Sequence, residues 1–235
     1  MSKFLEGRLA LVTGASRGIG AATAEALAAA GAHVILTART AEVLEQVEER
    51  IHAAGGSATI APMDLIESDS IARLATAVAG RWEALDLLVL NAATLGSLTP
   101  VAQIDGAEFN RVLTLNVLAG QAMIAGFDPL LRKSAAGRLL AVTSSVGRTP
   151  RAYWGAYGAS KAALETLVQS YGEEVRNVAP IKVAIVDPGA TATTMRARAF
   201  PGENPETLKR PEAVADAMLA LLEAGFETGH RLEIR

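Results

Sequence analysis

The stretch Leu9-Ala10-Leu11-Val12-Thr13-Gly14-Ala15-Ser16-Arg17-Gly18-Ile19-Gly20 decides the fold. A short apolar run ends at Thr13-Gly14, glycines follow at a Gly-x-x-x-Gly-x-Gly spacing, and an Ala-rich helical pattern runs from Ile19 to Ala30 and stops at Gly31. A strand that enters a helix through such a turn lets backbone N–H groups and the helix dipole approach and hold an anion. The spacing differs from the general dinucleotide fingerprint Gly-x-Gly-x-x-Gly, so the reading draws its weight from the position directly after the first strand.

Outward from this turn, strand and helix patterns alternate. Strands are expected at Leu9 to Val12, Val34 to Thr37, Ala58 to Ala61, Leu87 to Leu90, Leu139 to Val142, Val183 to Val186 and Arg231 to Ile234. Helices are expected at Ala41 to Ala54, Ser68 to Ala79, Ala107 to Leu131, Gly155 to Arg176 and Pro211 to Ala224. Strands apolar on both faces and joined by helices require a parallel sheet covered on both sides by right-handed crossovers. The expected fold is α/β, a single doubly wound (Rossmann) domain over residues 1–235 with a seven-stranded parallel sheet. The Pro/Gly-rich stretch Phe200 to Pro205 marks a mobile loop within an expected substrate lid at about 194–210.

Of the 235 residues, 50% are hydrophobic but only 4% aromatic, so the core must be Ala, Val, Leu and Ile packed closely between helices and sheet. A net charge of −3 and the lack of a basic run give no general attraction to nucleic acid. With no cysteine, and with His33, His52 and His230 scattered, neither a disulfide framework nor a metal centre is expected. Nothing resembles a signal peptide or a membrane span, so the expectation is a cytoplasmic protein with no membrane partner.

The end of the second strand is where an acid would accept ribose hydroxyls and repel a 2′-phosphate. Here Ala38 stands about 20 residues past the glycine turn, and Arg39 beside it can pair with a phosphate, with Arg17 as a second cation. NADP is therefore favoured over NAD. Farther along, Tyr157 and Lys161 share one face at the start of a helix, so the ammonium can stabilise the phenolate and lower its pKa. Ser144 follows the strand Leu139 to Val142 and can hydrogen-bond a substrate oxygen, with Ser145 as the alternative hydroxyl.

These elements together resemble the short-chain dehydrogenase/reductase family over nearly the whole chain. The family's Thr-Gly-x-x-x-Gly-x-Gly is matched by Thr13 to Gly20, its adenine-side Asp by Asp64, and its Asn-Ala-Gly by Asn91-Ala92-Ala93. Its active-site asparagine is matched by Asn116, its serine by Ser144, its Tyr-x-x-x-Lys by Tyr157 and Lys161, and its Pro-Gly motif by Pro188-Gly189 with Thr193. The segments Val146 to Arg148, Trp154 to Tyr157 and Met195 to Pro201 look most like the YciK-type bacterial oxidoreductases. The resemblance implies that Tyr157 donates a proton to a carbonyl that receives hydride from nicotinamide, while Ser144 orients that oxygen. Lys161 would hold the nicotinamide ribose, Asn116 would anchor a water chain, and Thr191 and Thr193 would face the carboxamide.

The implied cofactor set is Gly14, Ser16, Arg17, Gly18, Ile19, Gly20, Arg39, Asp64, Leu65, Asn91, Ala92, Tyr157, Lys161, Pro188, Gly189, Thr191 and Thr193. Two departures stand out: Ala93 replaces a glycine, and Asp187 stands where many members carry asparagine. The expected activity is NADP(H)-dependent transfer of hydride between nicotinamide and a carbonyl or secondary alcohol. The alternatives are an isomerase or dehydratase of the same fold, and a non-catalytic NADP-binding sensor or structural subunit. A homodimer through the helices near Ala107 to Leu131 and Gly155 to Arg176 is expected; the ending at Arg235, without the glycine-containing tail of many relatives, puts the usual tetramer in doubt. Arg148, Arg151, Arg196 and Arg198 are expected to make the substrate mouth cationic, with Tyr153, Trp154 and Phe200 as apolar walls.

Overall fold

The computed structural model describes residues 3–67 and 69–235. Strands β1 (Leu9–Thr13), β2 (His33–Ala38), β3 (Ser57–Pro62), β4 (Leu87–Leu90), β5 (Gly137–Val142), β6 (Ile181–Asp187) and β7 (His230–Glu233) form one seven-stranded sheet. Its order is β3-β2-β1-β4-β5-β6-β7, and each neighbouring pair is parallel. The helices between them are α1 (Gly18–Ala29), α2 (Ala41–Ala53), α3 (Ser70–Ala79), α4 (Gly106–Leu113), α5 (Ala119–Leu131), α6 (Gly155–Val175), α7 (Thr194–Ala199) and α8 (Pro211–Ala224).

Strand side chains alternate between faces, and here both faces are apolar. Leu9, Leu11, Leu88 and Leu139 join Met123, Phe127, Leu164 and Val168 of α5 and α6 in one core layer. Ala10, Val12, Val89 and Leu140 join Ala24, Leu27, Val47 and Met218 of α1, α2 and α8 in the other. After β3 the chain returns to the opposite side of β1 to form β4, and that reversal opens a crevice at the carboxyl ends of the strands.

The sheet matches the expected one in number and direction, and two helical regions differ from expectation. The helix expected over Ala107 to Leu131 is divided into α4 and α5 by a wide π-type turn at Thr114–Leu118, which turns the Asn116 side chain into the protein. The lid expected at about 194–210 carries the short helix α7, begun by Thr193, whose hydroxyl accepts from the Arg196 N–H at 3.1 Å. The start expected for α3 at Ser68 lies outside the described residues, and the helix is described from Ser70. Among the described residues, no helix is long and apolar enough to cross a membrane.

Candidate active site

A cleft of about 740 Å³ runs along the carboxyl ends of the strands. At one end lies the glycine turn, where Gly14 (φ +66°) and Gly18 (φ +57°) take left-handed conformations that side chains resist. Gly20 is not on the cleft wall; a Cβ there would come within 2.2 Å of the Gly14 carbonyl oxygen, so its lack of a side chain lets α1 seat on the turn. Asn91 at the end of β4 fixes the turn from below, its Nδ2 donating to the carbonyls of Thr13 at 2.9 Å and Gly14 at 3.3 Å.

Ser16, Arg17, Gly18, Ile19, Ala38, Arg39, Asp64, Leu65, Asn91, Ala92, Pro188, Gly189, Thr191 and Thr193 all line this cleft with Gly14. No carboxylate stands at the end of β2, where Ala38 and Arg39 face the cleft together with Thr40. Arg17 and Arg39 are exposed, and neither belongs to an ion pair among the described residues. Backbone donors in a left-handed turn, a helix N-terminus and two free guanidinium groups form a donor set that fits a dinucleotide with an additional phosphate.

The opposite end is built on α6. Tyr157 and Lys161 lie one helical turn apart on its buried face, 7% and 2% exposed, and both line the cleft. Lys161 Nζ donates to the Val142 carbonyl at 2.8 Å and sits 5.7 Å from the centre of the Tyr157 ring. Burial pushes the lysine down to about 8, while the Glu165 carboxylate acts in the opposite direction. Burial also raises the Tyr157 phenol above its ordinary value, and the charge of Asp187 adds to that. This differs from the expected lowering by Lys161: with the ammonium drawn to Val142 and both groups desolvated, the phenol keeps its proton.

Ser144, just past the end of β5, lines the cleft, whereas Ser145 is exposed and off its wall. Asn116 is buried but belongs to a separate void of about 10 Å³, roughly one water in size. Its Nδ2 donates to Thr94 O and Ser160 Oγ, both at 2.9 Å, and its Oδ1 accepts from Thr94 N at 2.8 Å. The asparagine side chain thus ties the wide turn to α6 and to the loop after β4.

The segment around α7 packs onto the tyrosine end. Trp154 meets Tyr157 edge-on at 5.9 Å and Phe200 at 5.7 Å, and the Arg151 and Arg196 guanidinium carbons lie 4.9 and 3.8 Å from the Phe200 ring centre. The expected cationic mouth is only partly present. Arg148 pairs with Glu233 at 3.0 Å and is not on the wall, Arg196 is held by both Glu203 oxygens at 2.6 Å, and Arg151 is engaged by aromatic faces. Arg196 and Arg198 nonetheless line the cleft, as does Arg111 on α4. Thr40, Thr94 and Leu95 are further wall residues not anticipated; Thr40 was signalled only by following Arg39.

Comparison with known proteins shows the family and the fold. Residues 8–204 match a family model described as short chain dehydrogenase. The uncharacterised oxidoreductase YciK of Escherichia coli K12 is 38% identical over 221 residues, covering 93% of this chain and 87% of that protein. A short-chain dehydrogenase of Shigella flexneri solved with NADP superimposes with a TM-score of 0.94 at 36% identity, covering 99% of each chain. One from Escherichia coli CFT073 solved with NADPH gives 0.91 at 39% identity, covering 98% of each.

Proposed function

The chain belongs to the short-chain dehydrogenase family of oxidoreductases, and from that premise we propose that it interconverts a carbonyl and a secondary alcohol with NADP(H) as cofactor. The observation that carries this reading is Tyr157, a buried phenol that retains its proton on the wall of the cleft beside Ser144 and Lys161. NADP is supported by Arg39 and Arg17 without an opposing acid, and by the cofactors found in the similar Shigella and Escherichia structures.

A nicotinamide cofactor held by the glycine turn, Arg39 and Thr191 would supply or accept the hydride. Ser144 donates a hydrogen bond to the substrate oxygen and polarises the carbonyl, and Tyr157 transfers its proton to that oxygen as negative charge develops. Lys161, held against the Val142 carbonyl beside the Tyr157 ring, would bind the cofactor ribose, and its positive charge favours the deprotonated tyrosine. Asn116 holds Thr94 and Ser160 in place, and Trp154 with Phe200 shields the reacting end from water. In the opposite direction the same tyrosine accepts the alcohol proton.

The test is an NADPH-consumption screen over aldehydes, ketones, quinones and 3-oxoacyl thioesters, with Tyr157→Phe as control. Turnover should fall by about a hundredfold or more in the variant while NADPH binding persists. Substantial activity in Tyr157→Phe refutes the assigned acid, and NADPH binding without turnover of any carbonyl favours a non-catalytic sensor.

A further inference from the structure

A third titratable residue continues the row begun by Tyr157 and Lys161. Glu165 lies one turn beyond Lys161 on the buried face of α6 and is only 6% exposed. One of its oxygens accepts from the Thr143 hydroxyl at 2.5 Å, and Arg231, reaching in from β7, pairs with both. Thr143 lies between Val142, whose carbonyl holds Lys161, and Ser144.

We propose that Glu165, oriented by Arg231 and Thr143, is a positioning residue for Lys161 that stabilises its ammonium and fixes the end of β5 against which it is held. The proposal rests on the reading of Lys161 as the cation on the cofactor side. Two charges removed from water cost more than an apolar pair of the same volume, so stability alone is a poor reason to keep a carboxylate and a guanidinium here. A carboxylate beside a fully desolvated lysine has a clear electrostatic effect, because it opposes the burial that pushes the amine toward its neutral form. Arg231 limits that effect and prevents the carboxylate from closing on Lys161 directly. The same contact with Thr143 ties the Val142 carbonyl and the Ser144 backbone to α6, so that one side chain sets the positions of both.

The groups facing Lys161 and its neighbouring carboxylate are Tyr157 and Glu165 on α6, with Arg231 on β7 paired to Glu165. Asp187 acts on both Tyr157 and Lys209. The Lys209 ammonium donates to the Ile234 carbonyl at 2.7 Å. Changes confined to Glu165 and Arg231 therefore leave the other charges in place.

The experiment measures NADPH affinity against pH by cofactor fluorescence, which needs no substrate. Affinity of the unaltered protein should fall about tenfold as pH rises through about 8, where Lys161 loses its charge, and Lys161→Met should remove this inflection. Glu165→Gln should move the inflection down by about one pH unit and Arg231→Met should move it up by a similar amount, with the double variant returning near the original position. A structural staple would lower thermal stability in these variants without moving the inflection. An inflection abolished by Lys161→Met but unmoved by Glu165→Gln and Arg231→Met overturns this proposal alone. An inflection that persists in Lys161→Met, or is absent from the unaltered protein, overturns the reading of Lys161 as well. If one single variant fails to fold, the other decides by the direction of its shift; if both fail, the pair is a staple and the proposal falls.

Discussion

The carboxylate of Asp187, at the end of β6, acts on the phenol of Tyr157: burial is the main cause of the raised phenol pKa, and Asp187 pushes in the same direction. Asp187 is itself 9% exposed and accepts from the Gly189 N–H at 3.1 Å, a bond an asparagine oxygen can also accept. Replacing Asp187 by Asn should therefore keep the turn but lower the phenol pKa, since one of two raising influences is removed. The limb of the alcohol-oxidation profile that requires phenolate should move to lower pH, by up to about one unit. A limb that stays in place would show that the Asp187 charge is screened from the phenol when cofactor is bound.

Arg39 borders the cleft without an acidic partner, and its replacement by Asp puts an anion where a 2′-phosphate is expected. NADPH affinity should fall by about 1.5–3 kcal/mol, roughly ten- to 150-fold, while NADH affinity changes little. Titration of both cofactors by fluorescence measures this, and equal losses would remove Arg39 from the phosphate site.

The segment expected to form a lid is held by the fork between Arg196 and Glu203, whose carboxyl lies below its usual range because of the Arg196 hydrogen bond. Glu203→Gln should loosen the segment without disturbing the sheet. Trypsin should then cut after Arg196 and Arg198 several times faster than in the unaltered protein, with bound NADPH restoring protection. An unchanged cutting rate would mean that the Trp154, Phe200 and Arg151 stack alone secures the lid.

Leu118 in the wide turn is 57% exposed and Leu167 on α6 is 37% exposed, both on elements expected to form a homodimer. On α5, Gly120 faces inward, where a Cβ would lie 2.9 Å from Leu164, whereas Ala125 is exposed. Leu118→Glu combined with Leu167→Glu should convert a dimer to a monomer at micromolar concentration, read by sedimentation velocity. A monomeric mass for the unaltered chain would contradict the dimer.

The strands were legible because each is a short apolar run between turn residues, and Leu87–Leu90 was located to the residue. The cleft residues near the glycine turn were legible for a similar reason, since adjacent residues share one local geometry. The break at Thr114–Leu118 was not, because the segment keeps a helical pattern and the turn widens to direct Asn116 toward Thr94 and Ser160, contacts set by tertiary packing. The Glu165–Arg231 pair is not legible in the sequence because its members are 66 positions apart and meet only through the placement of β7 beside β6. The phenol's raised pKa likewise follows from burial, which a Tyr-x-x-x-Lys spacing does not report.

Thr191 and Lys209 form a parallel bridge, and the Ala192 N–H donates to the Lys209 carbonyl at 2.9 Å, so the two ends of the segment carrying α7 are fastened to each other. The segment between them is a closed loop whose length and composition can change without altering the spacing of β6 and α8. Doubling such a loop costs only about 0.6 kcal/mol in closure entropy. The part behaves as a cassette with two fixed seams, at which a different segment can be grafted while β6 and α8 beneath are kept.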